Sequence, residues 1–136
     1  MNKATAVIES RAYQIGDVSC RTGLSQRTIR HYDDLGLVKP SARTNGGFRL
    51  YTESDVERFL LIKPFKPLGI GLDVVRRLLA AVDTLAVETD DTTARQVVAE
   101  VLGLVAERRR ELDEALAASE RAVGYLETLT VGSRPD

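Results

Sequence analysis

The chain has 136 residues, 43% of them apolar, and its 19 basic and 20 acidic side chains leave a formal net charge of −1. That is the size of one domain, or of one small domain with an appendage, and the apolar share excludes disorder along the whole chain. No apolar run approaches the roughly 18 residues that span a bilayer, Met1–Ala12 lacks the apolar stretch of a secretory signal, and the lone Cys20 excludes an intrachain disulfide framework and any multi-thiolate metal site.

A cytoplasmic protein with no membrane partner is therefore expected. Aromatics are only 5% and Trp is absent, so the core is expected to be aliphatic, mostly Leu, Val and Ala. Charge is unevenly spread: residues 1–70 hold 11 basic and 7 acidic side chains, residues 71–136 hold 8 and 13. Between Arg21 and Tyr51, six basic residues (Arg21, Arg27, Arg30, Lys39, Arg43, Arg49) face only Asp33 and Asp34. A basic front with an acidic rear suits a polyanion, although a mixed solvated surface would give the same numbers.

In chain order, residues 1–12 read as a tail. Tyr13 to Arg21, with Ile15 and Val18 apolar, suits a short helix. Thr22-Gly23-Leu24-Ser25 is a turn, in which Gly23 permits positive φ and Ser25 is a good N-cap. A helix from Gln26 to about Leu35 carries Ile29, Tyr32 and Leu35 on one face and stops at Gly36. Two short helices about a glycine turn make a helix-turn-helix. After a connector through Pro40, Asn45-Gly46-Gly47 between short extended segments signals a hairpin. Thr52-Glu53-Ser54-Asp55 resembles a capping box with Asp in the last place. It opens a third helix (Val56, Phe59, Leu60, Ile62), which Pro64 and Pro67 break. A fourth helix is expected from Leu72 to Val82, then an acidic linker over 83–93 in which Thr92 or Thr93 caps a fifth helix.

From 94 to 130 there is no Pro, and this last helix is expected to be a single one of roughly 55 Å. Its apolar residues recur at Val98, Val101, Val105, Leu112, Ala115, Ala122, Leu126 and Leu129, a seam interrupted by Arg108 and Ser119. So long a helix on so small a domain predicts a partner helix, most simply that of a second copy. Val98, Val101, Val105, Leu112, Leu116, Val123 and Leu126 are the candidate dimerisation residues. Residues 131–136 read as a tail.

The runs Ile15-Gly16-Asp17-Val18, Arg21-Thr22-Gly23-Leu24-Ser25, Thr28-Ile29-Arg30-His31-Tyr32, Gly36-Leu37-Val38, Gly47-Phe48-Arg49-Leu50-Tyr51, Asp55-Val56 and Leu68-Gly69 come in an order and spacing that closely resembles the MerR family of bacterial transcription regulators. The resemblance covers about residues 13–82. It implies a mostly α fold: a winged helix-turn-helix with a small β-hairpin wing, a second wing made by the third and fourth helices, and a C-terminal dimerisation helix pairing antiparallel with its twin. It also implies a homodimer on an inverted-repeat promoter in double-stranded DNA, distorting the duplex for RNA polymerase.

Residue by residue, Gln26 and Arg27 are expected at base edges. Ser25 and Thr28 lie where helix N-terminal amides meet phosphate, and Ser25 equally serves as a plain N-cap. Arg30, His31 and Tyr32 look like backbone contacts, with Tyr32 alternatively in the core. His31 stands where many relatives carry Tyr. Arg43, Phe48, Arg49 and Tyr51 belong to the wing, with Phe48 or Tyr51 packing beneath Arg49; Phe48 replaces a Tyr common in relatives. Lys63 and Lys66 would flank the duplex from the second wing, whose helix Pro64 interrupts in a departure from the family. Each of these basic residues alone could be ordinary surface charge.

Relatives that sense metals or oxidants place cysteines at and after the long helix, whereas residues 83–136 hold neither Cys nor His, so no metal or cofactor is expected. Cys20 is a thiol sensor or a small structural residue. Glu88, Asp90 and Asp91 hold a hard cation or simply line a solvated linker. A small effector would bind between the fourth helix of one subunit and the long helix of the other, lined by Val75, Leu79, Val101 or Val105; a regulator without a ligand is the other reading. A lone His, a lone Cys and no phosphate-cradling Gly loop leave no nucleophile–base pair, so an enzyme is not expected. Two further classes stay open: an architectural or excision-type DNA-bending protein, and a coiled-coil adaptor that binds only protein.

Overall fold

The computed structural model describes residues 12–132, so the expected tails lie outside it except for Ala12 and for Val131 and Gly132. The elements are β1 (Tyr13–Gln14), α1 (Ile15–Thr22), α2 (Gln26–Asp34), β2 (Ala42–Arg43), β3 (Arg49–Tyr51), α3 (Glu53–Ile62), a 3-10 turn (Lys63–Phe65), α4 (Leu72–Val87) and α5 (Thr92–Val131). Among the described residues no helix is long and apolar enough to cross a membrane.

The hairpin forms where expected. Thr44 and Phe48 close a three-residue loop, with the Thr44 amide donating to the Phe48 carbonyl at 2.9 Å. Gly47 takes the left-handed position (φ +81°) that such a loop demands. A strand that sequence periodicity missed joins it. Tyr13 and Gln14 pair antiparallel with Tyr51 and Leu50, so β3 is the centre of a three-stranded sheet ordered β1-β3-β2. The first helix therefore starts at Ile15, not Tyr13. Gln14 caps it, its amide donating to Asp17 at 3.0 Å.

Pro64 ends α3 at Ile62, and the chain continues as one 3-10 turn that buries Phe65. A turn bond from the Ile70 amide to the Phe65 carbonyl (3.1 Å) then redirects the chain into α4. Helix α4 runs five residues beyond Val82, which shortens the expected linker to 88–91. Asp91, rather than Thr92 or Thr93, caps α5, accepting from the Ala94 amide at 2.7 Å.

The core is mostly aliphatic, as composition suggested, but aromatic rings occupy its centre. Tyr51 and Phe59 are its largest fully buried side chains. Phe59 lies 5.8 Å edge-on from Tyr51 and stacks 6.3 Å from Tyr32. Around them sit Val18, Ile29, Val38, Val56 and Ile62. The Tyr51 hydroxyl is buried with no hydrogen-bond partner among the described residues. Burial pushes its ionisation above the usual phenol range. The folded protein thus keeps a proton that the unfolded chain releases, and this contribution to stability is complete below about pH 10 and lost as pH rises beyond it. Tyr51→Phe is expected to be neutral, or stabilising by up to about 1 kcal/mol. Thermal melts should show it declining less than wild type as pH rises past about 10.

The long helix has two regimes. Its first half packs on α4: Ala94 and Val101 are buried, and Val97, Val98 and Val105 lie against the core. Val98, Val101 and Val105, expected to meet a partner helix, are therefore engaged within their own chain. Val75 and Leu79 are buried in the same packing as Val101. The interruption at Arg108 has a structural cause, since its guanidinium Nε reaches the Leu68 carbonyl at 2.9 Å and ties α5 to the turn before α4. Beyond Arg108, all residues through Gly132 are exposed except the half-buried Ala117.

Candidate nucleic-acid interface

Helix α2 is the centre of the site. Ser25 caps it, its Oγ accepting from the Thr28 amide at 3.1 Å and lying 2.9 Å from the Thr28 hydroxyl. Ile29 and Tyr32 anchor it in the core, which turns Gln26, Arg27, Arg30 and His31 outward. Arg30 donates to Gln26 one turn earlier at 3.3 Å. These exposed side chains are the ones expected to read bases and phosphates. Tyr32, left open between contact and core, is a core residue at 5% exposure.

The turn before α2 is fixed from the second wing. Gly23 has φ +74°, and a Cβ there would come within 2.7 Å of the Lys63 ammonium. That ammonium donates to the Thr22 carbonyl at the end of α1 (2.7 Å), a favourable place for a cation at a helix C-terminus. Lys63, expected to flank a duplex, is exposed, but its ammonium is engaged by this intrachain carbonyl. Lys66 stays exposed without an ionic partner among the described residues.

The wing is held by a residue whose sequence position suggested only charge. Asp33, in the last turn of α2, accepts from Arg49 Nε at 2.8 Å and from Arg43 at 3.3 Å. Its hydrogen bond raises the Arg49 pKa further above its usual value, against a smaller opposing effect of burial. An acid in the last turn of a helix opposes the macrodipole, so Asp33 needed a cation nearby; that was the available signal. Asp33 rather than an aromatic ring therefore holds Arg49. Phe48 is 70% exposed at the hairpin tip. Tyr51, expected in the wing as a DNA-contact candidate or packed beneath Arg49, is fully buried because β3 turns it into the core.

Between α2 and the turn after α3 lies a groove of about 500 Å³, with Arg27, Thr28, His31 and Lys66 on its rim and Tyr32, Ile62, Phe65, Ile70, Leu72 and Val75 as its apolar lining. Cys20 is exposed on α1. Among the described residues, no group of three or more His, Cys, Asp or Glu could hold a metal ion.

Residues 13–82 match the family described as MerR HTH family regulatory protein. The HTH-type transcriptional regulator ZntR of Escherichia coli (strain K12) is 33% identical over 105 residues, which cover 77% of this chain and 69% of ZntR. The HTH-type transcriptional activator mta of Bacillus subtilis (strain 168) is 43% identical over 67 residues, covering 49% of this chain and 26% of mta. The chain thus spans about a quarter of that relative's length. A MerR-family transcriptional regulator from Bacillus cereus, known from a crystal structure, is similar in fold, with a TM-score of 0.61 over 93% of this chain and 88% of its own at 24% identity.

Proposed function

Because the chain belongs to the MerR family of helix-turn-helix regulatory proteins, we propose that it is a cytoplasmic, sequence-specific DNA-binding regulator of transcription. The observation that carries this reading is the outward face of α2, where Gln26, Arg27 and Arg30 are exposed while Ile29 and Tyr32 lock the helix from below. In this reading residues 13–82 are the DNA-binding unit and α5 joins two copies. Gln26 and Arg27 meet base edges in the major groove. Ser25, Thr28, Arg30, His31 and Lys66 meet the backbone. Arg43, Arg49 and Phe48 form the wing contact. Tyr32, Tyr51 and Lys63 position the others.

The exposed half of α5 supports a homodimer, and hence an inverted-repeat operator. Leu112, Leu116, Val123 and Leu126 are each between 42% and 58% exposed. An apolar edge of this kind on a free helix is what an antiparallel partner would cover. The dimer works by bending the operator, at a cost on the order of 1–6 kcal/mol, so that RNA polymerase can engage the promoter.

A mobility-shift assay with an inverted-repeat promoter tests this. Affinity should fall steeply with salt, and Arg30→Ala should make the log–log slope shallower by roughly 0.9 for each phosphate contact removed. Arg49→Ala should weaken binding by freeing the wing from Asp33. Unchanged affinity and slope in both variants would refute the assignment.

A further inference from the structure

We propose that the groove between α2 and the second wing is a binding site for a small amphipathic anion, and that this ligand and DNA compete for the protein. The inference rests on the DNA reading above for its competitor. A volume of about 500 Å³ is that of a small-molecule site. A groove that served only phosphate would have no use for its apolar interior. Here Ile62, Phe65 and Val75 form a nearly buried base, while half-buried Ile70 and exposed Leu72 form a lip. A flat apolar body of aromatic or alicyclic character would cover that lip and displace water from it.

The charge of the ligand is set by the rim. Arg27 and Lys66 reach it from opposite walls, and neither has an ionic or hydrogen-bonded side-chain partner among the described residues. His31 adds an imidazole donor between them. No acidic residue lines the groove. A carboxylate or sulfonate on an apolar ring system fits this arrangement, with its anion between Arg27 and Lys66. Arg27 and Lys66 are also the cations assigned to the operator, so an anion held there removes them from the duplex. Occupancy releases the protein from DNA.

The probe is 8-anilinonaphthalene-1-sulfonate, titrated into the full-length, nitrogen-15-labelled protein. Saturable shifts are expected at the amides of Arg27, His31, Lys66, Ile70 and Leu72. The uncharged parent, 1-anilinonaphthalene, should bind roughly tenfold more weakly or less. Ile70→Trp fills the lip without changing charge, and it should abolish the shifts while leaving duplex affinity intact. Leu72→Trp, at the more exposed of the two lip positions, repeats the test should Ile70→Trp fail to fold.

With a mixed-sequence duplex at about 50 mM salt, where phosphate contacts dominate, probe at ten times its dissociation constant should raise the half-saturation point roughly tenfold in wild type and not in Ile70→Trp. Shifts confined to the exposed part of α5, or probe and duplex bound together, would overturn the proposal. A protein that binds no duplex would sink the DNA reading, yet the shift map would still report on the groove. Duplex binding with unmoved groove amides would sink the groove alone.

Discussion

Leu116→Asp combined with Leu126→Asp is expected to yield a folded monomer that has lost roughly a hundredfold or more in affinity for an inverted-repeat duplex. Both side chains are more than half exposed in the single chain, at 57% and 58%. Neither substitution therefore disturbs the subunit. In the dimer each would bury a carboxylate in an apolar seam, which costs several kcal/mol when no cation is placed to meet it. DNA affinity is lost because one half-site alone retains only its own contacts. Sedimentation equilibrium and circular dichroism check the two halves of the claim: a monomer mass with near-native helix content agrees, whereas a dimer mass refutes it. The same pair of charges placed on the outer face, at Arg110 and Arg121, should leave the mass unchanged.

Phe59→Ala is expected to destabilise the DNA-binding unit by about 3–5 kcal/mol. Phe59 is fully buried and touches the rings of both Tyr32 and Tyr51. Truncation leaves a cavity where α2, α3 and β3 meet, and rigid neighbours cannot close it. The melting temperature should fall by about 12 °C or more. A two-state thermal melt reads this directly, and a drop of only a few degrees would mean that the three elements repack around the gap. DNA affinity measured well below the melt should fall less than stability does, because the outward face of α2 is unchanged.

Much of this was legible from the residues. Ser25, Thr52 with Asp55, and Gly47 each announce a cap or a turn through chemistry confined to a few neighbours, and each holds in the structure. The helix-turn-helix and the hairpin are built on them. The parts that were not legible depend on contacts remote in sequence. Tyr13 and Gln14 form a strand only because Tyr51 and Leu50 lie beside them. Tyr51 is sequestered by the folding of β3 between two neighbours, which alternation alone could not orient. The continuous seam of α5 concealed that one half meets α4 while the other lies exposed among the described residues. The basic residues divided for a similar reason: Lys63 and Arg49 find internal oxygens 41 and 16 residues away, while Arg27 and Lys66 find none among the described residues.

The clamp at the root of α5 has an evolutionary consequence. Val101 and Arg108 fix the direction in which the helix leaves the reading head. In the proposed dimer, any insertion between 109 and 131 would therefore be transmitted undamped to the second head. One added residue rotates everything beyond it by about 100° and advances it by about 1.5 Å, which swings the adhesive edge out of line. Seven added residues restore the phase to within about 20° and lengthen the span by roughly 10 Å. Lineages descending from this protein should accordingly change the length of this segment in whole heptads, each accompanied by a matching change in the spacing of their operators.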